Sequence, residues 1–219
     1  MNYVVTIDGP AGAGKSSVAK RAALELGIKY LDTGAIYRAI ALILAKSEIN
    51  PDSEEFLREA LSEIKIELKQ NSVLVNGFDV SGEIRTPEVD ELASVYSAVP
   101  LVRAALLGLQ KDQEHYGSLI AEGRDVGSVV FPNAKVKFFL TASPEARAKR
   151  RYLERISKGQ EADYDEILSS IKQRDINDST RELAPLSVPE GAIYLDTSDL
   201  TEEQAVNFIV EHVNEALAK

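Results

Sequence analysis

Short, nearly unbroken apolar runs alternate along this chain with segments whose apolar residues recur every three or four positions. The runs are Val4–Ile7, Leu119–Ala121, Val136–Leu140 and Ala192–Leu195, with a shorter one at Lys29–Leu31. Continuous apolarity over so few residues fits strands covered on both faces, as in parallel sheets. Between them, Val18, Ala22 and Leu26 share one helical face, and Gly27 marks that helix's end. Ile36, Ala39, Ile40, Ile43 and Leu44 keep helical spacing until Asn50-Pro51. Strand–helix alternation of this kind predicts a parallel α/β sheet.

From about Asp52 to Pro100 the alternation breaks. A short helix is expected around Phe56, Ala60 and Leu61. Ile64, Ile66 and Leu68 then alternate with polar residues, as do Val73 and Val75. Asn76-Gly77 is a strong hairpin-turn signal, with Phe78–Val80 returning. This predicts a small antiparallel sheet in an insertion lobe. Thr86 as N-cap and Pro87 at the first helical position start a helix with Val89, Leu92, Ala93 and Tyr96 on one face. Another begins at Pro100, carrying Val102, Ala105, Leu106 and Leu109.

Beyond the sheet's later strands, Ser143-Pro144-Glu145 reads as a helix start, and a polar stretch follows over Ser157–Asp163. Asp163 with Glu166, and Thr201 with Gln204, have the spacing of capping boxes. The last helix should bury Val206, Ile209, Val210, Val213 and Leu217.

A length of 219 residues and 44% hydrophobic content suffice for a full core. The net charge of −10 argues against non-specific nucleic-acid binding, which needs a basic face, but not against a nucleotide held in a local basic pocket. The lack of cysteine excludes disulfide and thiolate chemistry and fits a cytoplasmic setting. His115 and His212 lie far apart, which disfavours a histidine metal site and makes both expected helix-surface residues. No signal-peptide pattern and no run of membrane-spanning length is present, so no membrane partner is expected.

The chemistry begins at Gly9-Pro10-Ala11-Gly12-Ala13-Gly14-Lys15-Ser16, which fits the phosphate-loop pattern G-x-x-x-x-G-K-[ST] between a strand and a helix. Its glycines let successive N–H groups converge on one anion, and the helix N-terminus adds partial positive charge. Lys15 would reach the outer phosphates and Ser16 would ligate Mg²⁺. A nucleoside triphosphate is the expected ligand, contacted by residues 9–16 and by Ser17.

Four further clusters carry charge. Asp32-Thr33-Gly34-Ala35-Ile36-Tyr37-Arg38 follows the second strand; Asp32 or Thr33 is either a helix cap or part of a site. Glu122-Gly123-Arg124-Asp125-Val126-Gly127 places a charged pair between glycines at a strand's carboxyl end, where open α/β sheets bind ligands; a turn-stabilising Arg–Asp pair is the alternative. Arg174, Asp178 and Arg181 share one helical face, as phosphate ligands or as a solvated ion-pair ladder. Arg147, Arg150 and Arg151 form a basic face, either complementing a helix dipole or belonging to a mobile lid.

Taken together, these segments resemble the bacterial cytidylate kinases over nearly the whole chain. Ile7 through Ser16, Leu31 through Arg38, Val80-Ser81-Gly82-Glu83-Ile84-Arg85-Thr86, Glu122 through Gly127 with Val129-Val130-Phe131-Pro132, and Arg174 through Arg181 with Ala184-Pro185-Leu186 carry the resemblance, and the segments Asp32–Arg38, Val80–Thr86 and Gly123–Gly127 are far more specific than the phosphate loop. It implies a P-loop kinase fold: a five-stranded parallel sheet flanked by helices, an inserted nucleotide-monophosphate lobe with a small antiparallel sheet, and a helical lid. The implied division is a core of 1–38, 101–146 and 174–219, a lobe of 39–100 and a lid of 147–173.

The implied reaction is transfer of the γ-phosphate of ATP, with Mg²⁺, to CMP or dCMP. Arg38, Arg124 and Arg181 fall where the family clamps the acceptor phosphate, Thr33, Arg103 and Asp125 where it reads cytosine, and Ser94, Arg174 and Asp178 where it holds the pentose. Thr33 stands where the family often carries Ser, keeping the hydroxyl. Lys15, Arg124, Arg181 and the lid residue Arg151 are the implied catalytic set. Lobe closure is expected only with both substrates bound, and a monomer is expected because closure needs free surfaces. A P-loop kinase for another small acceptor and a nucleotide-dependent switch stay open as alternatives; no guanine-specificity motif such as N-K-x-D supports the switch.

Overall fold

The computed structural model describes residues 2–69 and 72–218. The chain divides into two compact units, Met1–Leu31 with Gln113–Lys219, and Asp32–Asp112. The implied lobe of 39–100 falls inside the second.

The first unit is built on strands β1 (Val4–Asp8), β2 (Lys29–Asp32), β6 (Leu119–Gly123), β7 (Val136–Thr141) and β8 (Ile193–Asp196), ordered β2-β6-β1-β7-β8 in a parallel sheet. Each strand starts and ends within two residues of its apolar run in the sequence. β1 is central and buried at every position. Helices α1 (Lys15–Leu26) and α8 (Glu202–Leu217) pack on the sheet and on each other. Val18, Ala22, Phe138, Leu140, Val206, Ile209 and Val213 form their shared core. Phe138 is fully buried, and truncating such a side chain costs about 3–5 kcal/mol. Leu217, expected in this core, is 42% exposed at the end of α8. His212 is half-buried, its ring 4.0 Å from that of Phe208, rather than on the open surface; His115 is exposed.

Local chemistry sets the helix ends. Gly27 caps α1 in the left-handed region at φ 66°. Thr201 and Gln204 close a full capping box on α8. Ser143 caps α6 (Pro144–Ser157) through Ala146 N–H. Asp163 caps α7 (Tyr164–Thr180) through Glu166 N–H, but the reciprocal Glu166 side-chain bond expected of a box is not formed. α6 and α7 pack around Ala148, Ile167 and Ile171.

The second unit holds α2 (Thr33–Lys46), α3 (Glu54–Glu63), α4 (Pro87–Tyr96), α5 (Pro100–Lys111) and a three-stranded antiparallel sheet of β3 (Ile66–Lys69), β4 (Ser72–Val75) and β5 (Phe78–Asp79). Asn76 and Gly77 both take positive φ, 50° and 83°, as the tight β4–β5 turn requires. Thr86 caps α4 and Pro87 occupies its first turn, as expected. Val73, Val75, Val80, Ile84 and Val89 pack against Ala35, Ala39 and Leu42 of α2. In α3 the buried residue is Leu57, while Phe56 is exposed. In α5, Ala105 is exposed and Gln110 is buried, its amide bonded to the Leu106 carbonyl.

Candidate active site

In the first unit the chain leaves β1 through Gly9, where a Cβ would lie 1.8 Å from the Leu140 carbonyl oxygen. Only glycine fits so close an approach. Gly14 then starts α1 in the left-handed region, and no side chain caps the helix. The N–H groups of its first turn are therefore left for an anion.

The loop's shape is fixed from outside by its carbonyls. Arg147 of α6 donates from one guanidinium nitrogen to Ala11 O at 3.0 Å and from Nε to Ala142 O at 2.8 Å. Its guanidinium also forks onto Asp175 of α7 at 2.9 and 2.5 Å. Thr197, after β8, points its hydroxyl at Ala13 O at 3.1 Å and Thr141 O at 3.0 Å. Arg150 donates to the Thr197 hydroxyl at 3.2 Å and to its carbonyl. The Ala11 and Ala13 carbonyls are thus drawn outward, while the Ala13 N–H turns back onto Pro10 O at 3.5 Å. Arg147 is only 3% exposed, so the basic face on α6 is not uniformly solvated. Arg151 is half-buried on the same helix.

Lys15 is buried and donates to Pro10 O at 2.8 Å. Burial, reinforced by the nearby Arg124 charge, lowers its pKa to about 7 against the pull of Glu122, Asp178 and Asp8. An incoming phosphate would favour the charged form. Ser16 and Ser17 are exposed at the start of α1. The Ser16 hydroxyl is thus accessible to a phosphate-bound cation, a donor type that suits Mg²⁺. No group of three or more His, Cys, Asp or Glu among the described residues is arranged to hold a metal.

Beside the loop, the segment after β6 carries the charged pair. Arg124 donates from Nε to Asp178 Oδ2 at 2.8 Å. Arg181 lies 3.6 Å from Asp125 Oδ1 and donates from Nε to Ala184 O at 2.6 Å. Asp178 is mostly buried; burial alone would raise its pKa, but Arg124, helped by Arg174 and Arg181, holds it below the usual carboxylate range. Arg181 is not on the helical face with Arg174 and Asp178: α7 ends at Thr180, and Arg181 is extended at φ −60°, ψ 141°. That break turns Arg181 toward Asp125. The structure therefore brings Arg124, Asp125, Asp178 and Arg181 together as two arginines, each held by a carboxylate, with Arg174 contributing charge.

The remaining expected residues, Thr33, Arg38, Ser94 and Arg103, lie in the second unit. Asp32, not Thr33, caps α2 there, accepting from Ala35 N–H at 2.8 Å. Its other oxygen takes Arg38 at 2.9 Å and Arg85 at 3.2 Å, so Arg38 is no free surface charge. Thr33 is buried. Arg103 lies over the Tyr37 ring, 5.6 Å from its centroid, and donates to Ser97 O. Ser94 is half-buried and accepts through its carbonyl from the Ser97 hydroxyl.

The cytidylate kinase family model matches residues 5–215. A cytidylate kinase from Caldanaerobacter subterraneus subsp. tengcongensis is 48% identical over 98% of this chain and 94% of its own length. One from Fervidobacterium nodosum is 47% identical over 98% of both. The chain belongs to the cytidylate kinase family. It is therefore a kinase that uses ATP. Among solved structures, an uncharacterized protein from Eubacterium ventriosum shares the fold, with a TM-score of 0.54 at 13% identity over 98% of this chain and 99% of that one.

Three contributors to this site escaped the sequence reading: Asp8, Asp175 and the anchoring role of Arg147. Asp8 left a trace, since a carboxylate closing an otherwise apolar strand has to be held by something. The others act through contacts between distant segments and leave no local pattern.

Proposed function

We propose that this family member moves the γ-phosphate of ATP to CMP or dCMP, giving ADP and CDP or dCDP, through the residues named below. The observation that carries the reading is the Arg124–Asp178 and Arg181–Asp125 arrangement beside the phosphate loop. Guanidiniums already held by carboxylates are pre-oriented donors, and a phosphate dianion can share them at little ordering cost.

In this reading the loop, residues 9–16, and Ser17 hold the ATP phosphates. Lys15 leaves Pro10 O for the outer phosphates and neutralises charge as it develops. Ser16 would hold Mg²⁺, which, when bound, screens the β- and γ-phosphate oxygens. Arg38, Arg124 and Arg181 take the acceptor phosphate, which is already ionised near neutral pH and needs no general base. Asp125, with Thr33 and Arg103, reads cytosine: a carboxylate accepts from the exocyclic amine, whereas a uracil carbonyl there would face like polarity. Ser94, Arg174 and Asp178 hold the pentose, and Arg151 spreads charge over the migrating group. The enzyme is read as a cytoplasmic monomer with neither nucleic acid nor membrane as partner. No single helix among the described residues is long and apolar enough to cross a membrane.

Calorimetric titration of CMP and ATP separately into the protein and its Asp125→Ala variant tests the assignment. CMP affinity should fall about tenfold or more, the worth of a charge-assisted bond, with ATP affinity changed less than about threefold. Equal loss of both would undo the role given to Asp125.

A further inference from the structure

Asp8 closes β1 in full burial, one residue before the phosphate loop's first glycine, and the phosphate chemistry described above leaves it unused. Its carboxylate divides between two backbone donors: Oδ1 accepts from Val126 N–H and Oδ2 from Gly127 N–H, both at 2.7 Å. These are the amides immediately after Arg124 and Asp125. The turn they open is unusual, a single π-helical turn over Val126–Val130 closed by Phe131 N–H to Val126 O at 2.7 Å. It is also tightly seated. A Cβ on Gly127 would lie 2.7 Å from Thr6 Oγ1, 3.0 Å from Asp8 Oδ2 and 3.2 Å from Pro189.

We infer that Asp8 is a positioning residue for the phosphate-acceptor site: it locks the Arg124–Asp125 segment to the strand that feeds the phosphate loop, so donor and acceptor phosphates meet in register. Packing alone would not choose a carboxylate here. Burial pushes its pKa up to about 6, only partly opposed by the two N–H bonds, so the group is retained at a cost to the core. What it supplies in return is two acceptors at fixed spacing on one rigid side chain. Π-turns and backbone held off its common forms occur often where a side chain must be aimed. An in-line transfer is sensitive to displacements of about 1 Å.

This inference rests on reading Arg124 and Asp125 as acceptor contacts. The test is steady-state kinetics with CMP and ATP varied separately, CMP calorimetry, and urea unfolding, on the parent enzyme, Asp8→Asn and Gly127→Ala. Asp8→Asn keeps size but turns an NH₂ toward one of the two N–H groups. Gly127→Ala pushes the turn away while leaving the Asp8 charge beside Lys15. Both should raise the CMP KM about tenfold and lower kcat, the loss expected for a misplaced charge-assisted contact. In Gly127→Ala the ATP KM should change less than about threefold, a split that general loosening of the fold would not give. Unchanged CMP KM in both variants, or ATP and CMP KM rising together in Gly127→Ala, would overturn the inference. A parent enzyme that fails to bind CMP would overturn the acceptor reading itself, and this inference with it.

Discussion

Replacing Arg147 with alanine should destabilise the protein more than it alters the chemical step. The substitution deletes the bond to Ala11 O, the bond to Ala142 O and the fork onto Asp175. Removing one partner of a buried ion pair costs about 3–5 kcal/mol. The Asp175 side chain is 27% exposed, so water recovers part of its solvation and the lower end, about 3 kcal/mol, applies. With a urea slope of about 2–3 kcal/mol/M, the unfolding midpoint should drop by about 1 M. Arg147→Met restores the stem, which packs under Gly12, and should recover about 1 kcal/mol of that loss. Urea unfolding followed by circular dichroism, with ATP affinity measured on the same samples, is the assay. ATP should bind more weakly in both variants, because the Ala11 carbonyl is no longer drawn out of the loop. A midpoint within about 0.3 M of the parent, together with a large fall in kcat, would refute this reasoning and make Arg147 a lid residue that touches substrate.

Other outcomes follow from the same geometry. Lys15→Ala should cut kcat by about a hundredfold or more with the unfolding midpoint kept, since the side chain donates to Pro10 O in the fold and, in the function proposed above, moves to the outer phosphates; near-normal turnover would refute its role. Asp8 has a folded pKa of about 6, above its ordinary 3.8, so the native state binds its proton more tightly than the unfolded chain. Its stabilising contribution is therefore full below about pH 4 and is lost as pH rises through 6, a swing of about 3 kcal/mol. Melting temperature against pH should accordingly fall less steeply from pH 4 to 7 in Asp8→Asn than in the parent, and parallel curves would contradict it. Thr201→Ala opens the capping box of α8 and should cost about 1 kcal/mol in urea unfolding without affecting either KM.

The central strands β6, β1 and β7 were legible because they are buried on both faces and so read as continuous apolar runs, whereas the edge strands β2 and β8 are partly exposed. In the small antiparallel sheet, Asn76-Gly77 marked the β4–β5 turn because few other pairs tolerate two positive φ values in succession. Helix faces were less legible. Phe56 and Leu57 both keep helical spacing with Ala60 and Leu61, and only the packing of α3 buries one and exposes the other. The end of α7 was hidden, since neither Gly nor Pro follows Thr180; helical spacing therefore carried Arg181 one step too far. The π-turn after Asp125 has no composition of its own, and Val126-Gly127-Ser128-Val129-Val130 reads equally as strand or loop. At the site, the phosphate loop was legible in full because its backbone geometry demands particular residues. The outward pull on its carbonyls by Arg147 and Thr197 was not, because it joins segments well over a hundred residues apart.

The most direct test of the account is ADP release from ATP with Mg²⁺, compared for CMP, dCMP, UMP, AMP and no acceptor under identical conditions. Strong stimulation by CMP and dCMP, weak by UMP and negligible by AMP is the predicted result. Equal stimulation by all four, or by none while ATP still binds, would contradict it.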